Sequence, residues 1–136
     1  MKYPYSGKFS PPALMVPAEL SIPHQGEGAF RCRAKLDTAA DISVVPRKFI
    51  ERFGPLAFNT LRIRQTDRCE YSYLLEITIA GHRYSVEAVA HDASYALIGR
   101  DILNQCTLIA DGPNETFELI QNGIRRKRCL AYKEES

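Results

Sequence analysis

Apolar and polar residues alternate most clearly from Phe30 to Leu36, where Phe30, Cys32, Ala34 and Leu36 interleave with Arg31, Arg33 and Lys35. A period of two puts the apolar set on one face and the cations on the other, which predicts a half-buried strand. The same period recurs at Leu75, Ile77 and Ile79, and again at Tyr84, Val86 and Ala88. Gly81-His82 between these runs predicts a turn, and so a hairpin. Residues Ala13 to Ile22 read as an earlier strand, with Pro17 confining it to an edge or a bulge because proline lacks a ladder donor. His24 to Gly28 reads as a turn. The polar stretch Leu61 to Tyr73 suits a pair of strands with an exposed tip near Thr66-Asp67. Tyr95 to Ile98 reads as a short buried strand, and Cys106–Ala110 with Thr116–Ile120 as a last hairpin around Asp111 to Asn114. Helical spacing is brief. Pro46 opens a segment with Phe49, Ile50 and Phe53 on one face and Gly54 at its end, and Ile102 to Gln105 forms a second short helix. The expectation is a mostly β domain with two short helices.

A chain of 136 residues, 45% hydrophobic, suits one domain. The division expected is an arm over 1–12, which holds three prolines, a domain over 13–121 and a polar tail over 122–136. The formal charge of +2 is too small for nucleic-acid binding driven by bulk charge. The run Arg125-Arg128 therefore reads as a solvated tail, and nucleic acid is not an expected partner. No stretch approaches the ~20 apolar residues of a membrane span, so no membrane partner is expected. Cys32, Cys69, Cys106 and Cys129 show no paired spacing, and His24, His82 and His91 are scattered. Neither a metal nor any other cofactor is expected. The first residues, MKYPYSGKFSPP, lack the apolar core of a secretory signal. With unpaired cysteines this points to a cytoplasmic location. Asn114-Glu115-Thr116 matches a glycosylation pattern but reads as a turn. Tyr71 and Tyr73 could line a peptide groove, though core or hairpin packing is the account preferred for them.

Asp37 stands out as a candidate for chemistry. It directly follows the alternating strand, and the small residues Thr38, Ala39 and Ala40 come next. A carboxylate at the end of a buried strand is costly unless hydrogen-bonded or paired. Alone, it would read as a turn-capping Asp. The context changes this. Leu36-Asp37-Thr38-Ala39-Ala40-Asp41-Ile42-Ser43-Val44-Val45 resembles the active-site loop of retropepsin-like aspartic proteases, in which an apolar residue precedes Asp-Thr/Ser-Gly-Ala. About sixty residues on, Ala96-Leu97-Ile98-Gly99-Arg100-Asp101-Ile102-Leu103 resembles the family's second motif, two apolar residues followed by Gly-Arg-Asp/Asn and a short helix.

The resemblance implies a small closed β-barrel of the retropepsin type and an aspartic endopeptidase acting on a peptide or protein substrate. It implies a homodimer, because the chain holds one such motif and the reaction needs two carboxylates sharing a proton. Catalytic Asp37 would pair with its copy. Thr38 would hold the loops across the dimer axis, with Ala39 and Ala40 completing the active-site loop. Asp41 would form a buttressing ion pair with Arg100, while Leu97, Ile98 and Gly99 pack behind the loop. The flap that closes over substrate would have its tip near Gln65, Thr66, Asp67 and Arg68. Two features depart from the pattern: Ala39 stands where the family has Gly, and the flap tip lacks glycine. They motivate a second reading, a retropepsin-fold module that binds peptides or dimerises without catalysis. A third, weaker reading uses Arg125-Arg128 for nucleic acid.

Overall fold

Ten strands and two short helices make up the fold in the computed structural model, which describes residues 2–24, 28–63 and 68–121. The elements are β1 (Lys2–Ser6), β2 (Ala13–Ser21), β3 (Phe30–Leu36), β4 (Val44–Pro46), α1 (Arg47–Phe53), β5 (Asn59–Ile63), β6 (Arg68–Ile79), β7 (His82–His91), β8 (Ala96–Ile98), α2 (Arg100–Leu103), β9 (Cys106–Asp111) and β10 (Thr116–Gln121). The alternating segments form the strands they predict. In β6, Leu75, Ile77 and Ile79 are buried; they face Tyr84, Val86 and Ala88 of β7 in the same core.

Successive pairings link β6, β7, β4, β8, β3 and β2, and β2 then pairs back with β6. These six strands form a closed ring. Two of its joints are parallel, β3 with β8 and β4 with β7. Closure removes most free edges, and the ring encloses Val16, Leu20, Ala34, Val45, Leu75, Ile77 and Ile98.

Pro17 corrects the edge assignment, because β2 lies inside the sheet. One side of β2 pairs with β3 from Met15 to Leu20. Its other side pairs with β1 at Ala13 and Leu14, and with β6 from Ala18 to Ser21. Pro17 falls between these two partners, where a missing N–H leaves no gap in a ladder. The first residues are extended, and Lys2–Ser6 is laid between β2 and β10. Tyr3 stacks on the buried Phe117 with centroids 5.3 Å apart.

The β6–β7 turn is shifted by one residue from Gly81-His82. Ile79 pairs with His82, leaving Ala80 and Gly81 as the two loop residues. Both have positive φ, 49° and 78°, as a two-residue turn matched to strand twist requires. Pro46 ends β4 and stands just outside α1, with φ −60° and ψ 135°. Gly54 closes that helix in the left-handed region at φ 61°, donating its N–H to Ile50 O. The fully buried Phe49 anchors α1 within an aromatic cluster with Phe30 and Phe53. The second helix begins two residues earlier than the apolar spacing suggested, directly after Gly99.

Candidate active site

Parallel pairing of β3 with β8 sets Leu36 opposite Ile98, so both strands end together. Asp37 is the next residue, and its N–H donates to Ile98 O at 2.9 Å. The chain then turns sharply. Ala39 N–H donates to Asp37 Oδ1 at 3.0 Å, and Ala40 N–H to Asp37 O at 3.2 Å. This side-chain-closed turn fixes a half-buried carboxylate at the strand end. Thr38 and Ala39 are exposed beside it. Ala39 is not among the described non-glycine residues with positive φ, which are His24, Ala80 and Glu115. Its methyl group therefore sits on an ordinary backbone.

The loop is held from behind by the second motif. A Cβ on Gly99 would lie 2.7 Å from Ile42 C and O, and 2.9 Å from Ala40 O. Real Cβ atoms do not approach backbone so closely, so only glycine fits between these segments. Arg100 N–H donates to Ala40 O at 2.8 Å. The Arg100 guanidinium reaches forward: Nη1 donates to Thr38 O at 2.8 Å, and Nη2 meets Asp41 Oδ1. Asp41 and Arg100 are thus brought together, although Asp41 remains 80% exposed. Exposed pairs contribute about 1 kcal/mol or less. Arg100→Lys is therefore expected to cost no more than about 1 kcal/mol in a thermal melt. It should still loosen the loop, since one ammonium cannot replace a planar fork spanning two partners. Faster hydrogen exchange at the Ala39 and Ala40 amides would report this.

Two residues that the motif reading left without a role complete the support. Ser43 is fully buried. Its Oγ donates to Asp101 Oδ1 at 2.8 Å and accepts from Gly99 N–H at 3.1 Å. Its N–H donates to Asp101 Oδ2 at 2.9 Å. Asp101 Oδ1 also accepts Ile102 N–H at 2.9 Å, which ties the start of α2 into the network. The signals for these residues were present: a lone hydroxyl within Ile42 to Val45, and an acid in the second motif.

An open cleft of about 840 Å³ runs in front of this loop. Asp37, Ala39, Ala40 and Asp41 border it with Ile42, Val44, Val89 and Leu97, and the β5–β6 hairpin forms the facing wall through Leu61, Ile63, Arg68 and Glu70. That hairpin is paired from Asn59↔Ser72 to Ile63↔Arg68. Arg68 therefore stands at its outer end. Gln65, Thr66 and Asp67 lie outside the described residues, as does Arg125-Arg128. Tyr73 packs against the core, Tyr71 is 64% exposed, and neither borders the cleft. Among the described residues no helix is long and apolar enough to cross a membrane.

Comparison with known proteins agrees with this geometry. The Spumavirus aspartic protease family model matches residues 28–107. No curated protein sequence matches the chain. Among solved structures, a retropepsin-like aspartic protease from Rickettsia conorii superposes with a TM-score of 0.62 at 12% identity, covering 88% of each chain. A foamy viral protease–reverse transcriptase in complex with an RNA/DNA hybrid gives a TM-score of 0.53 at 16% identity. There the alignment covers 68% of this chain and only 12% of the viral one. The EIAV protease in complex with an inhibitor gives 0.50 at 18% identity, covering 68% of this chain and 86% of that one. These superpositions, not the low identities, show the shared retropepsin fold. The family model spans more than half of the sequence, including both motifs and the cleft between them, and the chain belongs to the Spumavirus aspartic protease family.

Proposed function

We propose that this chain is an aspartic endopeptidase whose catalytic dyad is Asp37 and the Asp37 of a second copy. The observation that carries this is the placement of Asp37. It is fixed at a strand end, on the floor of a peptide-sized cleft, beside the exposed Thr38 and Ala39. The sequence contains one such motif, so a twofold axis beside that surface supplies the second carboxylate.

Two adjacent carboxylates share one proton. The ionised one takes a proton from water as the water oxygen bonds to the scissile carbonyl carbon. The protonated one gives its proton to the carbonyl oxygen. Collapse of this diol returns a proton to the leaving nitrogen as the C–N bond breaks. The turn formed by Ala39 N–H on Asp37 Oδ1 keeps the carboxylate oriented for these transfers. Arg100, through Thr38 O, stiffens the residue that would meet its copy across the axis.

Ala39 adopts a backbone without positive φ, which an alanine takes up unstrained, and this supports catalysis over a purely binding role. Free Cys32, Cys69 and Cys106 fit a reducing cytoplasm. One of the viral relatives is bound to nucleic acid, which leaves nucleic acid open as a partner.

The test is cleavage of a peptide library from acidic to neutral pH by wild type and Asp37→Asn, with the oligomeric state measured on the same samples. Wild-type cuts should vanish in the variant, a loss of at least about 10²–10⁴-fold. Activity should follow the dimer fraction on dilution. A dimeric wild type that cuts nothing would sink the enzyme reading.

A further inference from the structure

We propose that the outer edge of β9 is the joint between two copies of this chain, with Ile109 of one copy meeting Ile109 of the other across the twofold axis. The inference rests on the dimeric protease reading and deepens it by naming the surface that brings in the second copy. The sheet order runs from β5 to β9, so among the described residues these two strands are outermost. An outer strand is a template for pairing, and proteins guard such edges with charges, prolines or bulges. β5 carries Arg62 and belongs to the hairpin that walls the cleft. β9 reads Cys106-Thr107-Leu108-Ile109-Ala110-Asp111, with no proline and no charge before its last residue. It is also apolar on both faces. Leu108 packs against the core, whereas Ile109 is 51% exposed, and Ile120, diagonally across on β10, is 38% exposed. The far side of β10 already holds β1, through Lys2↔Glu118 and Tyr3↔Phe117, so this sheet can grow only from β9.

A second copy is the occupant because β9 and the Asp37 loop are carried by opposite ends of one helix. At the start of α2, Arg100 holds Thr38 O and Asp101 holds Ser43. At its end, Gln105 Nε2 donates to Asp101 O at 2.9 Å, and Cys106 Sγ donates to Ile102 O at 3.6 Å, which ties the first residue of β9 to the helix. The helix has four residues, a span of about 6 Å. A twofold axis at β9 therefore passes close to the loop that needs a second carboxylate. The strand also suits its own copy. Antiparallel pairing about Ile109 sets Leu108 opposite Ala110 and buries the two exposed isoleucines on each other. The two Asp111 carboxylates, the only charges of the strands, then lie roughly 14 Å apart along the joint, beyond the ~10 Å over which surface charges act in salt.

The test measures dimer dissociation of the full chain by analytical ultracentrifugation for wild type, Ile109→Lys and Ile109→Glu. Each is run alone, the two variants are also run mixed, and cleavage of the peptide library is followed in the same samples. Ile109 is half exposed, so either charge reaches water in a single copy. Each variant alone should raise the dimer dissociation constant by about 100-fold, because the isoleucine contact is lost and like charges meet. Mixing the two variants should restore the dimer, since opposite charges then face each other, and a misfolded chain could not respond in this way. Cleavage should return with the dimer. This pattern of dimerisation without cleavage in any sample would sink the protease reading alone. A monomeric wild type, variants that dimerise like wild type, or monomeric variants that do not recover on mixing would overturn this inference.

Discussion

Asp101→Ala is expected to destabilise the protein by about 3–5 kcal/mol, the scale of a broken buried network around a charge. The carboxylate accepts from Ser43 N–H, Ser43 Oγ and Ile102 N–H, at 2.8 to 2.9 Å. Removing it strands two of those donors on a fully buried residue. It also frees Ser43 Oγ from the orientation in which it accepts Gly99 N–H. At this chain length a loss of that size lowers the melting temperature by on the order of 10 °C or more. Asp101→Asn should cost clearly less. One amide oxygen can still receive the Ser43 hydroxyl and Ile102 N–H, while the amide NH2 faces Ser43 N–H and leaves that one donor unsatisfied. Thermal melts of the two variants decide the matter. Equal and small shifts would show that the network contributes little.

Gly99→Ala is expected to be the most damaging glycine-to-alanine change among the described residues. The added Cβ would meet Ile42 C and O at 2.7 Å and Ala40 O at 2.9 Å. All three are backbone atoms, so no side chain can swing aside. Overpacking commonly costs about 1–3 kcal/mol, and a backbone-only clash belongs at the upper end. The functional loss should be larger than the stability loss. The clash lies one residue past Ile98, whose O accepts the Asp37 N–H, and beside Ala40 O, which accepts the Arg100 N–H. A small shift of a catalytic group is enough to lose about 10²-fold in rate. Gly112→Ala makes a suitable control, because nothing lies within 4 Å of a Cβ placed there. If Gly99→Ala melts and cleaves like that control, the tight packing of the loop on the second motif is not required.

These two residues show how the second motif works as structure. Gly99 is small because backbone passes in front of it. Arg100 reaches forward to Thr38 O and Asp41, and Asp101 reaches back to Ser43. Consecutive residues in extended and early helical backbone point in different directions, so the side chains of Arg100 and Asp101, with the bare backbone of Gly99 before them, support the Asp37 loop from both sides.

The sequence by itself located most of the strands and the order of the two motifs, and it singled out Asp37, while β1 and β4 were not read from it. Alternation of period two is a local property, and it located β3 and the core of the β6–β7 hairpin, while the turn residues Asp111 to Asn114 marked the β9–β10 hairpin. The Pro46 to Gly54 segment likewise carried its own helix signals. Only the tertiary structure decided what depends on residues far apart in the chain. Pro17 looks like an edge residue until β1 and β6 are seen to share one side of β2. The role of Ser43 needs Asp101, fifty-eight residues away, and that of Gly99 needs the backbone of Ile42 and Ala40. The cleft beside Asp37 needs Leu61 and Glu70 of the β5–β6 hairpin and Val89 of β7, from separate parts of the chain. Local spacing sets which face a residue occupies. Closure of the ring sets which faces meet, and the cleft and its charge arise from that meeting.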